Sequence, residues 1–136
     1  RSSAASDVYK RQGEKLTLRI TAEHADEWNV WGDVAILRRK MRILDDHCRK
    51  VGRDPSEIQR SAVALLYMSD DESYVTSMKA RDKGMPSIVG TPSEVKDVVA
   101  ELESIGVNEL IVPDFTFDKD NKLKTLDTFI RGVAGR

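Results

Sequence analysis

The sequence predicts an α/β fold with parallel strands, and three observations support that prediction. Helical apolar patterns alternate with short apolar segments, as in chains that build right-handed β–α–β crossovers. The segment 62–68, AVALLYM, is apolar throughout, as expected for a strand covered on both faces. Three predicted strands beside four or five helices leave two strand edges open, which favours a piece of a larger parallel structure.

The first half of the chain contains two predicted helices around one predicted strand. Residues 14–26 have apolar positions at helical spacing, and residues 27–31, EWNVW, are predicted to form a brief buried strand. Asp33 is the expected N-cap of the next helix, which ends at Gly52. Its spacing predicts one apolar face, made of Leu37, Met41, Leu44, Cys48 and Val51.

Start and stop signals divide the second half of the chain. Residues 88–90 lead into Thr91-Pro92-Ser93-Glu94, a capping box that begins a helix ending before Gly106. The other predicted elements are a turn at 54–57, a strand-like segment at 60–68, a helix that begins at 69–72 and ends at 83–86, a strand at 110–112 and a helix through 123–133.

Composition excludes several classes of protein. The chain has 136 residues, 22 Lys and Arg against 23 Asp and Glu, and a net charge of −1, which argues against a dedicated nucleic-acid-binding protein. No apolar run approaches the roughly 18 residues of a membrane span, so no membrane partner is expected. Cys48 is the only cysteine, which excludes an internal disulfide and favours a reducing, cytoplasmic setting.

Few residues form a pattern that by itself indicates a catalytic or ligand-binding site. The familiar nucleotide-binding, metalloprotease and hydrolase motifs are absent, and no metal site is predicted. His24 and His47 are interpreted as helix-surface residues, and the acids at 70–72 as a helix start. Gly13-Glu14-Lys15 begins a helix, where backbone N–H groups can approach an anion.

The ends of the predicted strands are the second candidate site, because active sites of parallel α/β folds gather at the carboxyl ends of the strands. Packing at the rim of the sheet is the alternative role for these residues. The candidates are Asn29, Trp31, Tyr67, Met68, Pro113, Asp114 and Phe115.

Three segments together resemble a known family. They are GEKLTLRITAEHADEWNVWG, LRRKMRILDDHCRKVGRDPSEI and IVGTPSEVKDVVAELESIGVNELIVPDF, and in this order they are similar to the C-terminal part of luciferase-like monooxygenases. The nearest likeness is to the branch of deazaflavin (coenzyme F420)-dependent oxidoreductases. Residues 1–12 instead resemble translated adaptor sequence and are interpreted as non-native and disordered.

The resemblance implies that residues 13–136 form the C-terminal part of a (β/α)8 TIM barrel, about strands 6–8 with flanking helices. Strands 6, 7 and 8 would be residues 27–30, 61–68 and 108–113. The helices after strands 5, 6, 7 and 8 would be residues 14–26, 34–51, 92–105 and 122–134, with an inserted helix at 70–83.

The resemblance also implies a cofactor and a reaction. Gly13, Glu14 and Lys15 would hold the phosphate of F420 or, alternatively, FMN, although only Gly13 remains of the glycine run that precedes this pair in the family. Asn29 is assigned to the same cofactor, and no catalytic residue is identified. The intact protein would transfer hydride between the deazaflavin and a small organic substrate, and the fragment alone is expected to be inactive.

Two other functions remain open from the sequence. One is an FMN-dependent monooxygenase that uses oxygen, and the other is a non-catalytic α/β interaction module. A homo-oligomer is compatible with either function.

Overall fold

The computed structural model describes residues 18–134 of the chain. Residues 18–24 are helical and form α1. The later helices are α2 (Val34–Lys50), α3 (Glu72–Ala80), α4 (Pro92–Ser104) and α5 (Lys122–Phe129), and α5 continues into a π-helical turn, Ile130–Ala134. The strands are β1 (Glu27–Trp31), β2 (Gln59–Val63), β3 (Leu65–Met68), β4 (Ser87–Gly90) and β5 (Glu109–Ile111).

The strands form two parallel sheets, in agreement with the predicted α/β class. The larger sheet has the order β1-β2-β5. Its strands align so that Asn29, Ser61 and Glu109 lie in one row across the sheet, and Trp31, Val63 and Ile111 in another. The smaller sheet pairs β3 with β4.

The predicted strand 61–68 is in fact divided between the two sheets. β2 begins at Gln59, and Ala64 separates it from β3. The Ala64 N–H donates to the Ile111 carbonyl at 3.2 Å, whereas the Leu65 N–H donates to the Pro86 carbonyl at 3.0 Å. The strand therefore changes its hydrogen-bonding partner from β5 to the segment that leads into β4.

Residues 88–90, predicted only as the approach to a helix, are part of a strand. β4 has four residues and ends in a glycine, so it carries no periodic pattern that would identify it. The predicted helix 70–83 is also shorter than expected. α3 ends at Ala80, where the Lys83 ammonium donates to the Met78 and Arg81 carbonyls, each at 2.7 Å.

The main core lies between the helices and one face of the larger sheet. β1 and β2 contribute Trp28, Val30 and Ala62 to it. The predicted apolar face of α2 packs against this core. Its burial is confirmed for Leu37, Met41, Leu44 and Cys48, each at most 3% exposed, whereas Val51 is 43% exposed. Burial raises the pKa of the Cys48 thiol, so this cysteine is a core residue rather than a nucleophile.

An ion pair between a buried arginine and a partly buried aspartate ties α2 to the larger sheet. Arg60 on β2 is 8% exposed, and its guanidinium donates to the Asp45 carboxylate of α2 at 2.5 Å and to the Pro55 carbonyl at 3.2 Å. The Arg60 N–H also donates to the Asn108 side chain just before β5, at 2.8 Å. These bonds satisfy the buried guanidinium and fix β5 beside β2.

The predicted capping box at the start of α4 is confirmed and explains a buried glycine. The Thr91 hydroxyl accepts from the Glu94 N–H, and the Glu94 carboxylate accepts from the Thr91 N–H. This folds the Glu94 side chain back over β4, so a Cβ on Gly90 would lie 2.8 Å from the Glu94 Cβ. Any larger residue at position 90 would therefore clash with the Glu94 side chain, which explains the glycine.

Several large apolar side chains are exposed on the β5 and α5 side of the molecule. Leu123 is 82% exposed, Phe115 68%, Ile130 60% and Ile111 39%. β1 and β5 each have one strand neighbour among the described residues. None of the helices in residues 18–134 has the length and apolar character needed to cross a membrane.

Leu102→Ala should destabilise the chain by about 2–5 kcal/mol, because Leu102 is buried on α4 and its truncation leaves a cavity in the core. Urea denaturation monitored by circular dichroism measures the loss. Leu123→Ala is the matched control and should change stability by less than about 0.5 kcal/mol. An equal effect of both substitutions would contradict the assignment of the α4 face.

Gly90→Ala should cost about 1–3 kcal/mol, because the added methyl group overlaps the Glu94 Cβ. Gly132→Ala is the control, since a Cβ at that position would meet no atom within 4 Å apart from its chain neighbours and the backbone of its own helical turns. Thermal denaturation of the two variants should therefore separate them. Equal melting temperatures would show that Glu94 is not folded back against β4.

Protonation of Asp71 should weaken the start of α3. The Asp71 carboxylate accepts from the Ser73 hydroxyl and from the Ser73 and Tyr74 N–H groups, which holds its pKa below the usual 3.8. Since the folded pKa is lowered, this stabilisation is present above the unfolded pKa and is lost as pH falls through the folded pKa. NMR titration should place the midpoint of Asp71 below 3.8, with the two amides losing exchange protection there. In Asp71→Asn this pH-dependent step should disappear.

Candidate functional site

The face of the larger sheet opposite the core carries a row of polar side chains. We call it the open face, and the row consists of Asn29, Ser61 and Glu109. The Ser61 hydroxyl donates to the Glu109 carboxylate at 3.2 Å and is buried, whereas the Asn29 and Glu109 residues are exposed. The Asn29 carboxamide and the Glu109 carboxylate lie on the two outer strands with Ser61 between them, and together they offer both donors and acceptors to a ligand.

An apolar row follows towards the carboxyl ends of the same strands. Trp31, Val63 and Ile111 are aligned there, with Val63 buried, Trp31 partly buried and Ile111 39% exposed. Alternating side chains of a strand project to opposite faces, so this row lies on the open face beside the polar row. The open face thus presents an apolar strip next to a hydrogen-bonding strip.

A cavity of about 390 Å³ lies beyond the larger sheet, at the carboxyl end of β3. The ends of β3, the starts of α3 and α4, the segment after β5 and one face of α5 surround it. Its lining residues are Leu66, Tyr67, Met68, Ser69, Asp70, Asp71, Tyr74, Pro92, Thr116, Phe117, Asp118, Asn121, Lys124, Thr125 and Thr128.

Hydrogen bonds hold the wall of the cavity in place. The Thr116 hydroxyl donates to the Leu66 carbonyl at 2.7 Å, which ties the segment after β5 to β3. The Asp118 carboxylate accepts from the Asp120 N–H at 3.2 Å and from the Asn121 amide at 3.0 Å. Phe117 packs against the core from the same segment.

The structure brings together only some of the residues predicted at strand ends. Tyr67 and Met68 line the cavity. Asn29 and Trp31 lie on a different sheet, and Asn29 is in the middle of β1 rather than at its end. The Asp114 carboxylate pairs with the Lys122 ammonium, and this pair lowers the pKa of Asp114.

The other predicted site residues, Gly13, Glu14 and Lys15, lie outside the described residues, as does segment 1–12. His24 is exposed and lies 3.5 Å from the Glu23 carboxylate. Within residues 18–134, no group of three His, Cys, Asp or Glu side chains is arranged to hold a metal ion.

Sequence reasoning missed two sets of residues that the fold brings to the sites. Ser61 and Glu109 join Asn29 only through the register of three strands, which a single sequence does not reveal. Lys124, Thr125 and Thr128 of α5 line the cavity. They were not predicted because the pattern used to identify this helix consists of its apolar residues. The spacing of Thr125 and Thr128, three residues apart on one helix face, was the available signal.

No protein-family model matches the sequence, and no curated protein matches it either. Solved structures do match by fold. The coenzyme F420-dependent tetrahydromethanopterin reductase from Methanopyrus kandleri superposes with a TM-score of 0.62 at 17% identity, over 86% of this chain and 47% of the reductase.

Two further enzymes give similar values. Long-chain alkane monooxygenase (LadA) superposes with a TM-score of 0.60 at 14% identity, over 81% of this chain and 36% of that chain. An F420-dependent secondary alcohol dehydrogenase gives 0.59 at 13% identity, over 85% of this chain and 45% of the dehydrogenase. The chain therefore spans less than half the length of each of these structures, and at these identities the likeness shows that it shares the fold of part of each of them.

Proposed function

We propose that residues 13–136 form the C-terminal part of a luciferase-like (β/α)8 barrel, with β1, β2 and β5 as strands 6, 7 and 8. The parallel order β1-β2-β5, with α2 and α4 in the two crossovers, supports this assignment. In such a barrel the open face would turn towards the barrel axis, and the exposed apolar side chains of α5 and the turn after it, Leu123 and Ile130, would meet the preceding βα units. Residues 1–12 are proposed to be non-native.

The proposed activity of the intact protein is hydride transfer between coenzyme F420 and a small organic substrate. The observation that carries this proposal is the open face, where an apolar row at the carboxyl ends of three parallel strands lies next to a polar row. Two of the enzymes that share the fold use F420. The 136-residue chain alone is proposed to be inactive, because β1 and β5 each have one strand neighbour among residues 18–134, whereas every strand of a closed barrel has two.

The described residues fit a flat heteroaromatic cofactor in their chemistry. A deazaflavin or flavin ring has apolar faces and a hydrogen-bonding edge, and the open face offers an apolar strip beside an amide and a carboxylate. F420 supplies a ring carbon that accepts or releases hydride, while the protein binds and orients it. The Asn29 amide would hydrogen-bond the ring edge, and Trp31 with Ile111 would exclude water from the ring face.

The remaining residues of the proposed site have supporting roles. The Ser61 hydroxyl orients the Glu109 carboxylate, as its 3.2 Å hydrogen bond shows. Gly13, Glu14 and Lys15 are proposed to hold the cofactor phosphate, through backbone N–H groups at a helix start and the Lys15 charge. A side chain at Gly13 would stand between the backbone and the phosphate.

An FMN-dependent monooxygenase is the second candidate, favoured by the shared fold with an alkane monooxygenase. The open face carries no group that distinguishes the two ring systems, since both present the same kind of faces and edge. A non-catalytic interaction module is the third candidate function. The exposed apolar side chains of β5 and α5 favour it, because exposed apolar patches often mark interaction sites.

Titration of the full-length protein containing this chain with F420 and FMN, separately, tests the proposal. F420 should bind, and Asn29→Ala should weaken it about tenfold through loss of ring-edge hydrogen bonds. Lys50→Ala, at the exposed end of α2, is the control and should leave affinity unchanged. Binding of FMN alone would select the monooxygenase, and binding of neither by folded protein would select the interaction module.

A further inference from the structure

The cavity at the end of β3 has an aromatic lining. Tyr67 and Phe117 line it and are partly buried, and Tyr74 of α3 is 39% exposed at its rim. The volume of about 390 Å³ lies within the range of about 300–1,000 Å³ that is usual for small-molecule sites. Three aromatic residues therefore border one cavity, and aromatic rings attract cations placed over their faces.

The charges around the cavity are mainly negative. Asp70, Asp71 and Asp118 lie in its wall, and Lys124 is the only cation in the lining. The carboxylates of Asp71 and Asp118 are held by hydrogen bonds from neighbouring N–H and hydroxyl groups, so their positions are fixed before a ligand arrives. Because those bonds stabilise the ionised form of Asp71, its pKa is lowered and the carboxylate stays charged at neutral pH.

Hydroxyl groups complete the lining opposite the acids. Thr125 and Thr128 face the cavity from α5, while the Thr116 hydroxyl is occupied by the Leu66 carbonyl. The threonines add methyl groups and hydroxyl acceptors without adding positive charge. An anionic ligand would meet three carboxylates for one ammonium group, so the charge in the wall favours a cation over an anion.

We propose that this cavity binds an organic cation, an alkylated ammonium group whose methyl or methylene surface lies against Tyr67, Tyr74 and Phe117. The aromatic faces attract the cation through their quadrupoles, and the carboxylates add Coulomb attraction. Lys124 opposes this attraction from α5. The site lies at β3 and α5, outside the open face, and does not depend on the proposed hydride transfer.

A matched pair of probes tests the charge requirement on the 136-residue chain itself. Choline and 3,3-dimethylbutan-1-ol have the same shape, but only choline is charged. Isothermal titration calorimetry and protein-observed NMR should show choline binding at least about fivefold more tightly, with shifts at the Tyr67, Tyr74 and Phe117 amides. Equal affinity of the two probes, or absence of choline binding to folded chain, would overturn the proposal.

Three variants test the assignment of residues. Tyr74→Leu should weaken choline binding about fivefold, and Asp70→Asn should weaken it less, whereas Lys124→Ala should strengthen it. Phe115→Leu is the control, because Phe115 is 68% exposed and does not line the cavity. Each residue is on the surface, and circular dichroism checks the fold. Unchanged affinity in both Tyr74→Leu and Lys124→Ala would remove the site from this cavity.

Discussion

The change of partner at Ala64 is the constraint on which the rest of the structure depends. β2 and β3 are one nearly continuous strand, yet β2 is paired with β1 and β5, and β3 with β4. The larger sheet therefore ends at the row of Trp31, Val63 and Ile111, and the chain continues beyond it. Because β3 projects past that edge, it can be covered by α3 on one side and by the segment after β5 on the other. The cavity lies at this overhang, the part of the chain at β3 that extends past the larger sheet.

The short connections around β4 fix the overhang in place. The capping box at Thr91 and Glu94 reverses the chain within one turn of helix, and Gly90 provides the space for the Glu94 side chain. α4 then runs back alongside the larger sheet and delivers β5 to its place beside β2. Asn108 completes this step, since its side chain accepts from the Arg60 N–H at the start of the pairing. The capping box at the start of α4 and the Asn108 hydrogen bond after its end thus together set the position of β5 beside β2.

Features that depend on residues close together in the sequence could be predicted, whereas features that depend on contacts between distant segments could not. The α2 stripe of Leu37, Met41, Leu44 and Cys48 was predictable because helical spacing and caps are local. The division at Ala64 was not, because seven consecutive apolar residues look alike whichever strands they pair with. Likewise Asn29 was recognisable as a candidate on its own strand, whereas its neighbours Ser61 and Glu109 are set by register between strands far apart in sequence. The cavity required α5, β3 and the start of α3 to meet, which only the fold determines.

The spacing between the two proposed sites limits how they can cooperate. Val63 on the open face lies three residues from Leu66 and five from Met68, both in the cavity wall on the same extended segment, which corresponds to a separation of about 10–16 Å. Hydride transfer requires reacting atoms about 3–3.5 Å apart, so an ammonium group in the cavity cannot itself be the reacting part of a substrate. A small cation would therefore occupy the cavity as a ligand separate from the reaction. Only a longer substrate, with its cationic end in the cavity and its reacting carbon over the open face, would connect the two sites.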